Sequence, residues 1–100
     1  KMNAELFKRY AEDVQERFGL SREQMFAKKK QQEYVDARQM LYLLCDRSGM
    51  RISYIERYMK EIGHDITHST IIHGIQRAKK VMYEDDGYKK IISKIEVDAV

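Results

Sequence analysis

Thr67-His68-Ser69-Thr70-Ile71-Ile72-His73-Gly74 opens a stretch in which Ile71, Ile75, Ala78 and Met82 recur at helical spacing. Thr67 stands just before that repeat, where a short side chain accepts hydrogen bonds from the free N–H groups of a first helical turn. The spacing predicts a helix with its apolar stripe inward and His68, Ser69 and Thr70 in its first turn. Small polar and imidazole groups there replace the carboxylates usual at a helix start. Such side chains are short enough to reach base edges or phosphates, and the free N–H groups of the turn favour an anion. Gln76, Arg77, Lys79 and Lys80 extend the outer surface as a cationic tail. An ordinary capped surface helix shares these features, so the neighbouring sequence decides between the two readings.

The 100 residues include no proline, only five glycines and no alternating β-branched run, while Lys, Glu, Met, Leu and Ile abound. An all-α fold follows. The length suits one domain, residues 1–100, with a single core and no separate cofactor module. Seven Tyr and three Phe supply much of the bulk, and Tyr42, Tyr54 and Tyr58 are expected in the core. The single cysteine, Cys45, lies in the apolar run Leu41-Tyr42-Leu43-Leu44-Cys45 and reads as a packed small hydrophobe in a reducing, intracellular setting. No segment approaches the roughly 20 apolar residues of a membrane span, and no signal-peptide pattern begins the chain. The expectation is a soluble cytoplasmic protein with no membrane partner. Lys1 precedes Met2, which reads as an appended residue before a natural start, a piece of a longer protein being the alternative.

The formal charge is +3 and the pI near 9.0, values compatible with nucleic-acid binding and with much else. Distribution carries more information. Lys28-Lys29-Lys30 and Arg77-Lys79-Lys80 cluster positive charge, whereas Glu84-Asp85-Asp86 and Glu96 with Asp98 concentrate negative charge near the C-terminus.

Along the chain the periodicity predicts a first helix from about Ala4, capped by Asn3, to Phe18, with Gly19 ending it. Ser21-Arg22-Glu23-Gln24 has capping-box form and opens a short helix carrying Met25 and Phe26. A polar connection over Lys28 to Gln32 leads to a helix from Tyr34 to Ser48, which Gly49 closes. A second capping box, Ser53-Tyr54-Ile55-Glu56, opens a helix to about Ile62, and Gly63 breaks it. With the Thr67-capped helix this makes helix, short turn, helix, the arrangement in which a second helix enters the major groove. A last helix from about Asp86 to Glu96 presents Tyr88, Ile91, Ile92 and Ile95.

Taken together, Val35-Asp36-Ala37-Arg38-Gln39-Met40, Ile52-Ser53-Tyr54-Ile55 and the Thr67–Gly74 segment resemble the C-terminal DNA-binding domain, domain IV, of the bacterial replication initiator DnaA. The similarity extends from about Val14 to Ile95. The last segment is similar to that family's Asp-His-Ser/Thr-Thr-Val-Ile-His-Ala run, and the Ala-Arg-Gln-Met element lies at the expected distance upstream. The resemblance implies a small helical bundle of the Trp-repressor and DnaA C-terminal type, binding double-stranded DNA at replication origins in a bacterial or bacteriophage setting, at the nucleoid. It implies that Arg38 enters the minor groove, that Lys28, Lys29 and Lys30 form the basic loop, and that Thr67, His68, Ser69, Thr70, His73 and Arg77 complete the DNA-binding surface. Lysines would then set affinity through phosphates, while first-turn side chains and Arg38 confer sequence preference.

The chain also departs from the family pattern. Ile66-Thr67 stands where the family has an Arg-Asp pair, the interval from Ile55 to His68 is about four residues longer, and Gly63-His64 takes the place of a glycine pair. Nothing resembles a Gly-rich phosphate loop, so the chain is expected to bind DNA with no nucleotide or other cofactor and without driving origin melting. It also lacks a nucleophile with a partnered base, which argues against an enzyme. Histidines at 64, 68 and 73 suggest a metal site only weakly, since His68 and His73 point about 140° apart on a helix.

Several readings stay open at this level. Arg38 is also placed to pair with Asp36 or Glu33 or to cap a neighbouring turn, although its place in the family motif favours the groove, and His73 is equally placed to pack against the preceding helix. A transcriptional regulator, or a helical module whose basic face docks an acidic protein, presents the same cationic surface; replication or transcription proteins are candidate partners in either case.

Overall fold

The run from Met40 to Cys45 is apolar on every side of a helix, so that helix must be covered all round. In the computed structural model, which describes residues 2–100, it is the central element; Lys1 lies outside the described residues. Six helices follow in order: α1 (Met2–Phe18), α2 (Arg22–Met25), α3 (Gln32–Arg47), α4 (Ile52–Ile62), α5 (His68–Glu84) and α6 (Asp86–Asp98). All five others pack against α3, with α1 and α5 making the broadest contacts. Met40, Leu41, Leu43, Leu44 and Cys45 are fully buried. Each large apolar side chain so placed contributes about 1.5–3 kcal/mol. Burial pushes the Cys45 thiol well above its ordinary value, which keeps it protonated and inert.

The other helices lay one stripe each on this centre. Phe7, Tyr10, Ala11 and Val14 line the buried face of α1, and Ile55, Tyr58 and Met59 that of α4. Ile71, Gly74, Ile75 and Ala78 do so for α5, with Ile92 and Ile95 for α6. Tyr42 and Tyr58 are core residues as expected, whereas Tyr54 is half-buried beneath Arg57, whose guanidinium lies 5.1 Å from the ring centroid. Gly74 marks the closest approach of α5 to α3: a Cβ there would stand 2.9 Å from Tyr42 Cδ2 and 3.2 Å from Gln39 Cγ.

Two expected caps are corrected. Helix α1 already runs from Met2, so Asn3 lies inside it and cannot cap it. Helix α4 begins at Ile52 with Arg51 at its cap position and no side-chain cap bond, which puts Ser53 inside the helix. Met50 and Ile52 pack against the core on either side of that start, and their burial sets the chain's entry ahead of the Ser53 box. The box at Ser21 forms as expected, with Gln24 N–H donating to Ser21 Oγ at 3.1 Å and Ser21 N–H to Gln24 Oε1 at 2.8 Å. Asp85 caps α6 through Tyr88 N–H.

The acidic C-terminal region is partly paired. Arg47 makes a bidentate bond to Glu96 at 2.8 and 3.1 Å, and Arg9 donates to the Asp98 carbonyl at 2.7 Å. These contacts fasten α6 to α3 and α1, and the Arg47–Glu96 pair neutralises charge near the C-terminus. Among the described residues no helix is long and apolar enough to cross a membrane.

Candidate nucleic-acid interface

A helix-turn-helix needs a sharp exit from its first helix, and Gly63 supplies it at φ +98°, a conformation that disfavours any Cβ. Gly63 N–H bonds to Lys60 O at 2.9 Å and His64 N–H to Met59 O at 3.0 Å, the two bonds of a Schellman closure. The residue after the glycine in this motif turns back toward the helix it closes. His64 does so and is 6% exposed. Its Nδ1 lies 2.9 Å from the carbonyl oxygen of Phe26. A carbonyl only accepts, so Nδ1 carries the proton and the ring is held in one tautomer. Burial lowers the pKa of His64 from its ordinary value, the hydrogen bond to Phe26 opposes that effect, and nearby Arg38 and Lys28 add to it.

Beyond the turn, Thr67 caps α5 as expected. Its Oγ1 accepts Thr70 N–H at 3.2 Å and lies 3.0 Å from Thr70 Oγ1, so both threonine hydroxyls are engaged within the first turn. His68 Nδ1 faces Glu56 Oε1 of α4 at 3.3 Å, which orients the ring and directs Nε2 away from that carboxylate. Ser69 is exposed and makes no side-chain hydrogen bond among the described residues. At about 100° per residue, Ser69, His73, Gln76, Lys80 and Tyr83 form the stripe opposite the buried face, and all five are exposed. Arg77 stands to one side, beside Asp36, Asp85 and Tyr88. Ile72 is exposed on the opposite flank.

The basic loop has a different construction. Between α2 and α3 the chain forms no helix from Ala27 to Gln31, and the guanidinium of Arg38 gathers its carbonyls. Nη1 donates to Met25 O at 2.7 Å and to Ala27 O at 3.1 Å, and Nη2 donates to Lys29 O at 3.1 Å. Arg38 is 8% exposed. This is the turn-capping alternative, with the guanidinium directed inward onto the carbonyls of the loop. It pairs with neither Glu33 nor Asp36; Asp36 instead accepts from Gln32 Nε2 at 2.8 Å. Burial pulls the guanidinium below its ordinary value, and three carbonyl dipoles compensate its charge in place of a carboxylate. Lys28, Lys29 and Lys30 are left exposed, with no ion pair within 4 Å among the described residues.

The structure thus joins the loop to the helix-turn-helix through the His64–Phe26 bond, while the three histidines separate: His64 is buried, His68 faces Glu56 and His73 lies on the outer stripe. The sequence reading missed His64. Its local signal was the position after a helix-closing glycine, but Phe26 lies 38 residues away and no spacing rule connects them. Gln76 and Lys80 were read as outer surface and left out of the binding set, although helical geometry places them with Ser69 and His73.

The model of the bacterial dnaA protein helix-turn-helix matches residues 11–78. That span runs from within α1 to within α5 and leaves α6 outside, a shorter reach than the resemblance to Ile95 read from the sequence. No curated protein and no solved structure matches the chain. With the match covering well over half of the chain and a capped recognition helix behind a Schellman-closed turn, this protein belongs to the bacterial DnaA helix-turn-helix family, a DNA-binding family of replication initiation.

Proposed function

We propose that the domain binds double-stranded DNA with sequence preference, α5 lying in the major groove and the Lys28–Lys30 loop engaging the adjacent backbone and minor groove. The observation that carries this reading is the exposed lysine loop tied at Phe26 to the turn that launches α5. Ser69, His73 and Gln76 are the base-reading side chains, helped by the Nε2 edge of His68, while Lys80 and Arg77 meet phosphates. Thr67 and Thr70 hold the helix start through their cap bond, which leaves the first-turn N–H groups of His68 and Ser69 to meet the anion. The minor-groove role expected of Arg38 passes in this proposal to the loop that Arg38 holds. Nothing in the interface requires a nucleotide, and the domain acts as the binding part of an initiation apparatus or its regulator.

Selection of bound duplexes from a random-sequence pool at near-physiological salt tests the proposal. The expected result is one enriched motif with an A·T-rich flank. Absence of enrichment, with binding abolished by added salt, would leave a nonspecific basic surface and sink the sequence-reading roles. On the selected site, Lys29→Gln should flatten the slope of log K against log salt by about 1 and weaken all sequences alike.

A further inference from the structure

Four carbonyls of one short segment point at two side chains that come from elsewhere in the chain. Arg38 of α3 takes those of Met25, Ala27 and Lys29, and His64 of the helix-turn-helix turn takes that of Phe26 between them. Both side chains are buried, and their bonds to the Met25 and Phe26 carbonyls lie where water cannot replace the donor without opening the core. The loop's own residues contribute no helix over Ala27 to Gln31. We infer that His64 is a positioning residue for DNA binding: its Nδ1–H clamps the Phe26 carbonyl and locks the basic loop to the helix-turn-helix turn, so that both contact DNA as one rigid surface. This deepens the DNA-binding reading and rests on it.

The division of work between the two clamps follows from their anchor points. Arg38 ties the loop to the central helix, which fixes the loop's shape. His64 is the side chain that hydrogen-bonds it to the turn between α4 and α5, which fixes its distance and angle to the recognition helix. A duplex presents its phosphates at set spacings, so a loop held in register gains contacts without the ordering cost that a mobile loop meets on binding. Removing the His64 donor leaves three lysines on a segment still held by Arg38 but free to shift against α5. It should therefore cost affinity only through those lysines.

The test uses the whole 100-residue chain and a 20-base-pair A·T-rich duplex, with binding measured over a series of salt concentrations. His64→Leu keeps bulk and removes the donor, and His64→Phe replaces it should the leucine variant fail to fold. His64→Asn keeps an amide N–H near the position of Nδ1. Each is made in the natural sequence and in a background with Lys28, Lys29 and Lys30 changed to Gln. In the natural sequence the donor-less variant should bind about tenfold more weakly and show a salt slope shallower by about 1–2. The asparagine variant should stay within about twofold of the parent. In the lysine-less background the donor-less change should alter affinity by less than about twofold, because the groups it positions are already gone.

An equal loss in both backgrounds, or an unchanged salt slope, would overturn the inference and reduce His64 to a fold-stabilising residue. Amide hydrogen exchange on the free protein separates this from a failure of the DNA-binding reading. Faster exchange confined to residues 26–31 in the donor-less variant is the expected sign of a released loop. A parent chain that does not bind the duplex at any salt would overturn the DNA-binding reading and this inference with it. Unchanged exchange at 26–31 would overturn the clamp alone.

Discussion

The first turns of α5 and the lysine loop are built by opposite means. Helix α5 carries its own cap at Thr67 and its own buried stripe, so its start is specified within eight consecutive residues. The loop has no local device of that kind and takes its shape from Arg38 and His64, which lie in other elements. A helix built this way tolerates changes far from itself. A loop built this way does not, and its shape becomes a property of the tertiary fold.

The sharpest way to break this contrast is Arg38→Ala. It strips the partners from three carbonyls, one of them bonded within the core, and should cost about 3 kcal/mol in urea-induced unfolding. Arg38→Lys should recover little, since one ammonium cannot reproduce the fork that reaches Met25, Ala27 and Lys29 together. A loss under 1 kcal/mol for the alanine variant would mean that the loop holds itself.

Gly74→Ala probes the seat of α5 instead of its start. The added methyl meets the buried ring of Tyr42 at 2.9 Å, an overpacking cost of about 1–3 kcal/mol. Alanine's helix propensity returns about 1 kcal/mol. A net destabilisation of about 1 kcal/mol is expected, and a stabilised variant would show that Tyr42 yields easily. Thr67→Ala should cost about 1 kcal/mol and raise amide exchange at the first turn of α5 while leaving residues 26–31 unchanged. Exchange spreading into the loop would contradict the separate construction of the two regions.

The smallest effect concerns pH. His64 has a folded pKa below its ordinary 6.5, with burial the largest cause and the positive charges of Arg38 and Lys28 adding to it. The unfolded chain therefore binds the proton more readily. The stability contributed by neutral His64 is complete above about pH 6.5 and is lost as pH falls through the folded value. Urea midpoints measured downward from pH 7.5 should decline more steeply for the parent than for His64→Asn. Parallel declines would mean that other groups govern this range.

Helix existence was legible because periodicity, caps and glycine stops act over a few residues. Thr67, the Ser21 box and Gly63 all lie where their local chemistry is used. The capping pattern at Ser53 lost to burial of Met50 and Ile52 beside it, whereas at Asn3 the helix already runs from the exposed Met2 and no buried neighbour accounts for it. Within the candidate site, the exposure of Ser69 and His73 on α5 was readable from helical periodicity, whereas the orientation of Arg38 was not. An arginine in a polar stretch looks the same whether its fork faces solvent or three carbonyls.

What the sequence by itself determined is the all-helical fold, the helix-turn-helix, the family and the exposed lysines, because each rests on patterns contained within one element. Only the tertiary structure decided that Arg38 turns inward, that His64 reaches Phe26, and that Tyr42 meets Gly74 too closely for a methyl group. Those contacts join residues 13, 38 and 32 positions apart at their farthest, and at such separations it is the packing of α3, α4 and α5 that selects which donors meet which acceptors.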